Sequence, residues 1–138
     1  MTKQRVLILC TGNAARSPMA EGLLRHLAGD RFEVFSAGVA PWKVQPEAIV
    51  VLRELGIDIS GHRPKHVDEF AGQSFDYVLT VCDHARETCP VFPAQTQMIH
   101  HSFVDPGNCR GSKEERLAQF RKVRDEMREY LGTFPPGC

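Results

Sequence analysis

Two spacings of apolar residues alternate along the chain, and the first of them predicts strands. Residues 5–10 begin with the unbroken apolar run Val6-Leu7-Ile8-Leu9, which is typical of a strand buried on both faces of a parallel sheet. Apolar segments at 32–36, closed by Ala37-Gly38, and at 75–81 predict two more strands. Residues 97–101 predict a fourth strand with a weaker pattern. The chain therefore carries material for a four-stranded sheet.

The second spacing is helical and falls between these strands. Ser17 followed by Pro18 is a helix start, after which apolar side chains recur on one face; they are Met19, Leu23, Leu24 and Leu27. A second helix is predicted from about 46 to 55, with Gly56 as its stop, and residues 83–88 favour a short helix. A long amphipathic helix is predicted over 113–131, before the Pro135-Pro136-Gly137 tail.

Strands alternating with helices predict an α/β fold made of right-handed β-α-β units, with a small parallel sheet covered by helices on both faces. A chain of 138 residues without internal repeats or linkers predicts one domain over 1–138. In such sheets ligands bind beyond the carboxyl ends of the strands. Any chemistry is expected at that edge.

Charge and hydropathy exclude several classes of partner. The 17 Lys and Arg balance 17 Asp and Glu, so no net charge favours nucleic acid or a membrane surface. The apolar runs are far shorter than the ~20 residues that span a bilayer, and the run after residues 1–5 is too short for a signal peptide. A cytoplasmic monomer is expected.

The cysteine and histidine spacings favour thiol chemistry over metal chemistry. Five cysteines without an export signal predict reduced thiols rather than a disulfide framework. No C-x2-C or H-E-x-x-H motif is present, and the six histidines are scattered apart from His100-His101. Neither a catalytic metal nor a tightly bound cofactor is expected.

The loop between the first strand and the first helix is a candidate oxyanion socket. It has the pattern C-x5-R-S over residues 10–17. Small residues allow successive backbone N–H groups to face one concavity, and the helix start adds its positive dipole end. The residues expected to bind the anion are Thr11, Gly12, Asn13, Ala14, Ala15 and the planar guanidinium of Arg16.

Cys10 lies at the floor of this positive field and is a candidate nucleophile. The field predicts a thiol pKa below its ordinary value, and Ser17 is placed to donate a hydrogen bond to the sulfur. A plainer interpretation remains open at this point. Cys10 could be a buried thiol at a strand end, Arg16 a surface charge and Ser17 only a helix cap.

Three features make the whole chain resemble the low-molecular-weight tyrosine phosphatase fold. They are this loop, the length of the chain, and Asp105-Pro106 late in the sequence. Cys82 and Cys89, within residues 80–93, make it similar to the thioredoxin-coupled arsenate reductases of that fold. The resemblance implies a flavodoxin-like four-stranded sheet, arsenate as substrate, arsenite as product and thioredoxin as electron donor. Phosphate and sulfate are then expected as competing anions.

The expected reaction is a relay of three thiols. Cys10 attacks arsenic while Asp105 donates a proton to the departing oxygen, and Cys82 then attacks the Cys10 sulfur and releases arsenite. Cys10 and Cys82 follow strands that should be neighbours, about 4.8 Å apart. Cys89 then attacks Cys82, but seven helical residues separate the two Cα atoms by about 10.5 Å, beyond the ~7 Å limit of a disulfide. Oxidation is therefore expected to unwind this segment.

Structural interpretations of the same residues stay open. Cys82 could be a small buried residue at a strand end, Cys89 a chance surface thiol, and Asp105 a turn residue before Pro106. Cys109, in a loop, and Cys138, in the tail, are assigned no role.

The resemblance also implies a potassium site in some relatives. Its ligands match Asn13, Glu21 and Ser36 together with a carboxylate, and the fourth position here is Lys65. An ammonium group in place of a carboxylate disfavours the binding of a potassium ion, and the ammonium group could itself occupy the position of the ion. Asn13 is also expected to fix the loop through side-chain hydrogen bonds.

Three other functions compete with the relay. A tyrosine phosphatase would use the same Cys10, Arg16 and Asp105, but Gly107 and Asn108 after Asp105-Pro106 differ from the D-P-Y of that branch, and no aromatic wall for a phenol ring is expected. A reductase coupled to a small thiol would not need Cys89. A non-enzymatic module could sense phosphate or sulfate with the loop, and Cys10→Ser would abolish turnover but not sensing.

Overall fold

Four parallel strands form one sheet in the computed structural model, which describes residues 3–136, and the strand order is β2-β1-β3-β4. The strands are β1 (Gln4–Cys10), β2 (Phe32–Gly38), β3 (Tyr77–Thr80) and β4 (Gln97–His100). The helices are α1 (Arg16–Ala28), α2 (Pro46–Arg53), α3 (Asp83–Thr88) and α4 (Lys113–Leu131). The predicted α/β class with a parallel four-stranded sheet is confirmed.

The central position of β1 follows from its apolar run. Val6 to Leu9 are fully buried, and β1 pairs with β2 on one side and with β3 on the other. β2 continues two residues beyond its predicted end because Gly38 pairs with Cys10 and also bridges to His66. β3 is shorter than predicted, although the Val81 amide still donates to the Leu9 carbonyl at 2.9 Å. Cys10 at the end of β1 and Cys82, two residues beyond the end of β3, therefore lie at the same edge of the sheet.

Two predictions about α1 are wrong. The helix begins at Arg16 with Ala15 as its N-cap, and Ser17 lies inside the first turn, where its hydroxyl bonds to other side chains instead of capping the helix. Leu27 is 39% exposed, because the buried stripe continues through Leu24 to Ala28 at a spacing of four residues.

The remaining helices agree closely with the periodicity. α2 ends at Arg53, slightly before its predicted end, and Gly56 follows with a φ of +79°. α4 has the predicted bounds and begins with a capping box between Ser112 and Glu115. Two short 3-10 helices, Val67–Phe70 and Pro106–Asn108, are too short for the periodicity to detect.

None of the helices within residues 3–136 combines the length and the apolar character needed to cross a bilayer. Cys138, for which no role was predicted, lies outside the described residues.

Candidate active site

A cavity of about 340 Å³ opens where β1 passes into α1. The β1–α1 loop supplies half of its wall, with Cys10, Thr11, Gly12, Ala14, Ala15 and Arg16. Two later segments supply the rest, with Ala40, Trp42 and Gln45 from one and Asp105, Gly107 and Asn108 from the other. The structure thus brings most of the predicted anion-binding residues together at the carboxyl edge of the sheet.

The loop is held by its own carbonyl groups. Those of Cys10, Thr11, Gly12 and Ala14 accept backbone hydrogen bonds of 2.8–3.2 Å from the segment 39–45. Because these carbonyls are directed to the outside of the loop, its N–H groups are left for the concavity. Within residues 3–136, the amides of Gly12, Ala14 and Ala15 make no backbone hydrogen bond. The positive end of α1 adds to the same field.

Gly38 allows this close packing and was not predicted as a site residue. A Cβ atom there would lie 2.5 Å from the Thr11 carbonyl oxygen and 2.8 Å from the Asn13 nitrogen. No sequence pattern identified it, because Gly38 appears only as the end of a strand. The loop conformation therefore requires a residue without a side chain at position 38 of the neighbouring strand.

Asn13 lies behind the cavity, fully buried, in the left-handed region with a φ of 49°. Its Nδ2 donates to Ser17 Oγ at 2.7 Å and to Ser36 Oγ at 3.0 Å. Its Oδ1 lies 3.1 Å from His62 Nε2 and accepts the Lys65 amide at 3.1 Å. These bonds support the prediction that Asn13 fixes the loop. Asn13 does not line the cavity, so the predicted anion contact is not supported for its side chain.

Cys10 sits on the cavity floor with its sulfur 2.8 Å from Ser17 Oγ and 3.2 Å from the Asn13 amide nitrogen. Because Asn13 Nδ2 already donates to Ser17 Oγ, the Ser17 hydrogen is available for the sulfur. Burial nevertheless raises the pKa of the Cys10 thiol, against the lowering effects of the Ser17 hydrogen bond and the Arg16 charge. The predicted low pKa is therefore wrong, because desolvation of the thiolate dominates.

Arg16 and Asp105 face each other across the cavity. Arg16 Nη2 lies 3.6 Å from Asp105 Oδ2, and Arg16 Nη1 donates to the Phe103 carbonyl at 3.1 Å. Asp105 Oδ1 accepts the Gly107 amide at 2.9 Å and caps the short helix Pro106–Asn108. Asp105 is thus both a turn residue and a cavity residue. One carboxylate oxygen is committed to the turn and the other faces the guanidinium.

Cys82 lies beside the loop but does not line the cavity. Its sulfur is 3.3 Å from Thr11 Oγ1 and accepts the Ala85 amide at 3.4 Å as the N-cap of α3. Thr11 immediately follows Cys10, and the Val81 amide donates to the Leu9 carbonyl, so Cys10 and Cys82 lie beside each other at the carboxyl ends of neighbouring strands, as predicted. Thr11 contacts both the cavity and the second thiol.

Cys89 ends α3 and is half-buried, and this burial raises the pKa of its thiol. The helix between the two thiols has the predicted extent, Asp83–Thr88. Both thiols are free. Cys109 is half-buried beyond the short helix after Asp105, and its thiol does not line the cavity.

The residues matching a potassium site do not fit an ion here. Ser36 Oγ donates to Glu21 Oε1 at 2.5 Å, and Lys65 Nζ donates to the Ser36 carbonyl at 3.1 Å. The amide oxygen of Asn13 is engaged by the Lys65 backbone and by His62. The ligand oxygens therefore bond to protein donors, and an ammonium group lies among them. Among residues 3–136 no cluster of His, Cys, Asp and Glu suits a metal ion.

Trp42 overturns one expectation about the pocket. It lines the cavity and is 64% exposed, and its amide donates to the Gly12 carbonyl at 2.9 Å. The prediction that the pocket lacks an aromatic wall is therefore wrong. The sequence contains a single tryptophan, in a segment after β2, which could have indicated an aromatic wall. Only the fold shows that this segment lies at the cavity.

Comparison with known families matches residues 5–134 to the low molecular weight phosphotyrosine protein phosphatase family. An arsenate reductase of Halalkalibacterium halodurans is 41% identical over 134 residues, which cover 97% of this chain and 96% of that protein.

Two solved structures are also similar. One is an arsenate reductase in the phosphate binding state, 29% identical with a TM-score of 0.74 over 93% of each chain. The other, a thioredoxin-dependent arsenate reductase of Corynebacterium glutamicum, is 28% identical with a TM-score of 0.66 and covers 94% of this chain and 62% of that one.

Proposed function

The chain belongs to the low molecular weight phosphotyrosine protein phosphatase family, and we propose that within this family it reduces arsenate to arsenite with thioredoxin as electron donor. The observation that carries the proposal is the position of a second thiol. Cys82 lies against Thr11 of a phosphate-type loop whose floor is Cys10. The arsenate reductases similar to this chain support the same substrate.

The first step is attack of the Cys10 thiolate on As(V). An S–As bond forms and an As–O bond breaks, and Asp105 supplies the proton that lets the oxygen leave as water. Amides of the loop and the Arg16 guanidinium hold the remaining oxygens. Ser17 stabilises the thiolate, which the burial of Cys10 otherwise disfavours.

The second step reduces the arsenic. Cys82 attacks the Cys10 sulfur, an S–S bond forms, and the electron pair of the S–As bond stays on arsenic, which leaves as arsenite. Two thiols are oxidised to one disulfide while As(V) becomes As(III), so the electrons balance. The Thr11 hydroxyl can donate to the Cys82 sulfur and favour its thiolate.

The third step carries the disulfide away from the loop. Cys89 attacks Cys82, the Cys82–Cys89 bond forms, and Cys10 leaves as a thiolate ready for another arsenate. Seven residues at the helical rise separate the Cα atoms of Cys82 and Cys89 by about 10.5 Å, so this step requires α3 to unwind. The opened segment then presents the disulfide to thioredoxin, which the similarity to a thioredoxin-dependent relative supports.

A coupled assay tests the proposal. Arsenate-dependent consumption of reducing equivalents is followed with thioredoxin and its reductase, for the parent and for Cys10→Ser, Cys82→Ser and Cys89→Ser. We expect the first two variants to form no arsenite and Cys89→Ser to complete one turnover but not many. Cys109→Ser is the matched control and should retain the parent rate. Repeated turnover by Cys89→Ser would contradict the relay.

Hydrolysis of aryl phosphates is a second candidate function, and Trp42 favours it. The indole lines the mouth of the cavity and can stack on a phenol ring. Cys10, Arg16 and Asp105 serve a phosphoryl group by the same chemistry, without Cys82 or Cys89. Aryl phosphate turnover that survives Cys82→Ser would establish this activity separately from arsenate reduction.

A further inference from the structure

His100, the last residue of β4, joins the end of the sheet to the first turn of α3. Its Nε2 lies 3.0 Å from Asp83 Oδ1, and its Nδ1 lies 2.8 Å from the Oγ1 of Thr80, the last residue of β3. Thr80 is buried and also reaches the Ile99 carbonyl at 3.5 Å. The imidazole therefore connects two strand ends to Asp83, the residue directly after Cys82.

The hydroxyl of Thr80 allows this contact in both charge states of the imidazole. When the ring is neutral, Thr80 can donate to Nδ1 while Nε2–H donates to Asp83. When the ring is protonated, both nitrogens donate and the Thr80 hydrogen can turn to the Ile99 carbonyl. Asp83 thus keeps its donor in either case.

The first turn of α3 has few other attachments. Ala85 is the one buried residue of this helix, and the Cys82 sulfur caps the Ala85 amide at 3.4 Å. A helix of six residues is not stable by itself and depends on such contacts. The bond between Asp83 and His100 therefore bears directly on where Cys82 points.

We propose that His100 is a positioning residue, holding α3 closed through Asp83 with Cys82 directed at the arsenate loop, and that this bond breaks when the disulfide passes to Cys89. The inference rests on the proposed thiol relay. We call Thr80, Asp83 and His100 the α3 clamp. The clamp stabilises the helical, reduced form, because the contact between Asp83 and His100 is lost when the segment unwinds. It therefore favours the attack of Cys82 on Cys10 and opposes the later exchange with Cys89.

The reduction potential of the Cys82–Cys89 disulfide tests the clamp. It is measured in a Cys10→Ser background by equilibration with reduced and oxidised dithiothreitol, with the disulfide mapped by mass spectrometry. We expect Asp83→Ala and His100→Ala each to shift the equilibrium about threefold towards the disulfide, which corresponds to about 14 mV more negative at 29.6 mV per tenfold. The double variant should shift it little further than Asp83→Ala alone, because both changes remove one contact.

Two control variants separate the clamp from a general effect on the helix. Glu87→Gln removes an exposed carboxylate of α3 that has no ion-pair partner within residues 3–136, and it should leave the potential unchanged. His100→Gln retains an amide donor near the Nε2 position and should restore most of the parent value.

With Cys10 present, the clamp variants should release arsenite more slowly in a single turnover yet pass the disulfide to Cys89 faster. A loss of folding stability alone would not change the two steps in opposite directions.

The outcomes distinguish the clamp from the relay itself. If no Cys82–Cys89 disulfide forms in the Cys10→Ser background, the relay and the proposed function fail. If the disulfide forms but Asp83→Ala and His100→Ala match Glu87→Gln in potential and in both rates, the clamp is wrong and the relay stands.

Discussion

The hydroxyl oxygen of Ser17 lies 2.8 Å from the Cys10 sulfur, and both residues are almost completely buried. Asn13 donates to the same hydroxyl, so the Ser17 hydrogen is directed at the sulfur. This bond opposes the burial that raises the pKa of Cys10. The reactivity of the nucleophile therefore depends on the hydrogen bond from Ser17 that the C-x5-R-S pattern predicts.

The pH dependence of Cys10 alkylation follows from this balance. Because burial raises the pKa of Cys10, the thiol form dominates at neutral pH and the alkylation rate should still be rising above the pKa of a free cysteine. Ser17→Ala should lower the rate at pH 7 by about tenfold, since a hydrogen bond to a charged group contributes about 1.5 kcal/mol.

Iodoacetamide labelling with mass spectrometry of the Cys10 peptide measures both effects. Ser60→Ala, a change at an exposed turn, is the control and should leave the profile unchanged. A half-point below that of a free cysteine in the parent would show that the loop field outweighs burial.

Gly38→Ala should distort the anion loop. A methyl group there would meet the Thr11 carbonyl and the Asn13 amide at less than 3.0 Å, which requires the backbone to shift. We expect unfolding free energy to fall by about 1–3 kcal/mol and phosphate affinity to fall with it. Urea denaturation and calorimetric titration with phosphate provide the two readouts.

Gly61→Ala is the matched control for Gly38→Ala, because a Cβ atom at Gly61 has no neighbour within 4 Å. Its stability and phosphate affinity should match those of the parent. Equal behaviour of the two variants would contradict the close approach at Gly38.

The ammonium group of Lys65 should take the structural role that a bound potassium ion has in some relatives. Burial lowers the pKa of its ammonium, yet the group bonds to the Ser36 carbonyl beside Glu21. Lys65→Met should lower the unfolding free energy by about 1–2 kcal/mol, since it leaves that carbonyl without its donor. Exchange of sodium for potassium chloride should not move the unfolding midpoint of the parent. A stabilisation specific to potassium would contradict this interpretation.

Trp42 should matter for aryl phosphates and not for arsenate. Trp42→Ala should raise the KM for p-nitrophenyl phosphate several-fold, because a ring stack contributes about 0.5–1.5 kcal/mol. Arsenate has no ring, so its KM should change little and provides the internal control. Equal losses for both substrates would instead indicate damage to the loop through the Gly12 carbonyl bond.

The fold could be predicted from local signals because periodicity and the C-x5-R-S loop report on contacts close in sequence. β1, α2 and α4 are examples, with bounds that agree within a few residues. The misplaced start of α1 has a different origin. Ser17 resembles an N-cap in sequence, but its hydroxyl forms hydrogen bonds with Cys10 and Asn13 instead.

What escaped prediction depends on segments distant in sequence. Trp42 and Gln45 line the cavity because their loop hydrogen-bonds to the carbonyls of the β1–α1 loop. Asp83 and His100 meet only because β3 and β4 are neighbours. The pKa of Cys10 was predicted with the wrong sign because burial depth, which the sequence does not give, outweighs the positive loop.

Trapping the first disulfide tests the account most directly. Cys89→Ser protein is treated with arsenate without a reductant, and tryptic peptides are mapped by mass spectrometry. The relay predicts one equivalent of arsenite and a covalent link between the peptides of Cys10 and Cys82. Arsenate binding with no such link and no arsenite would contradict it and leave a phosphatase-type pocket.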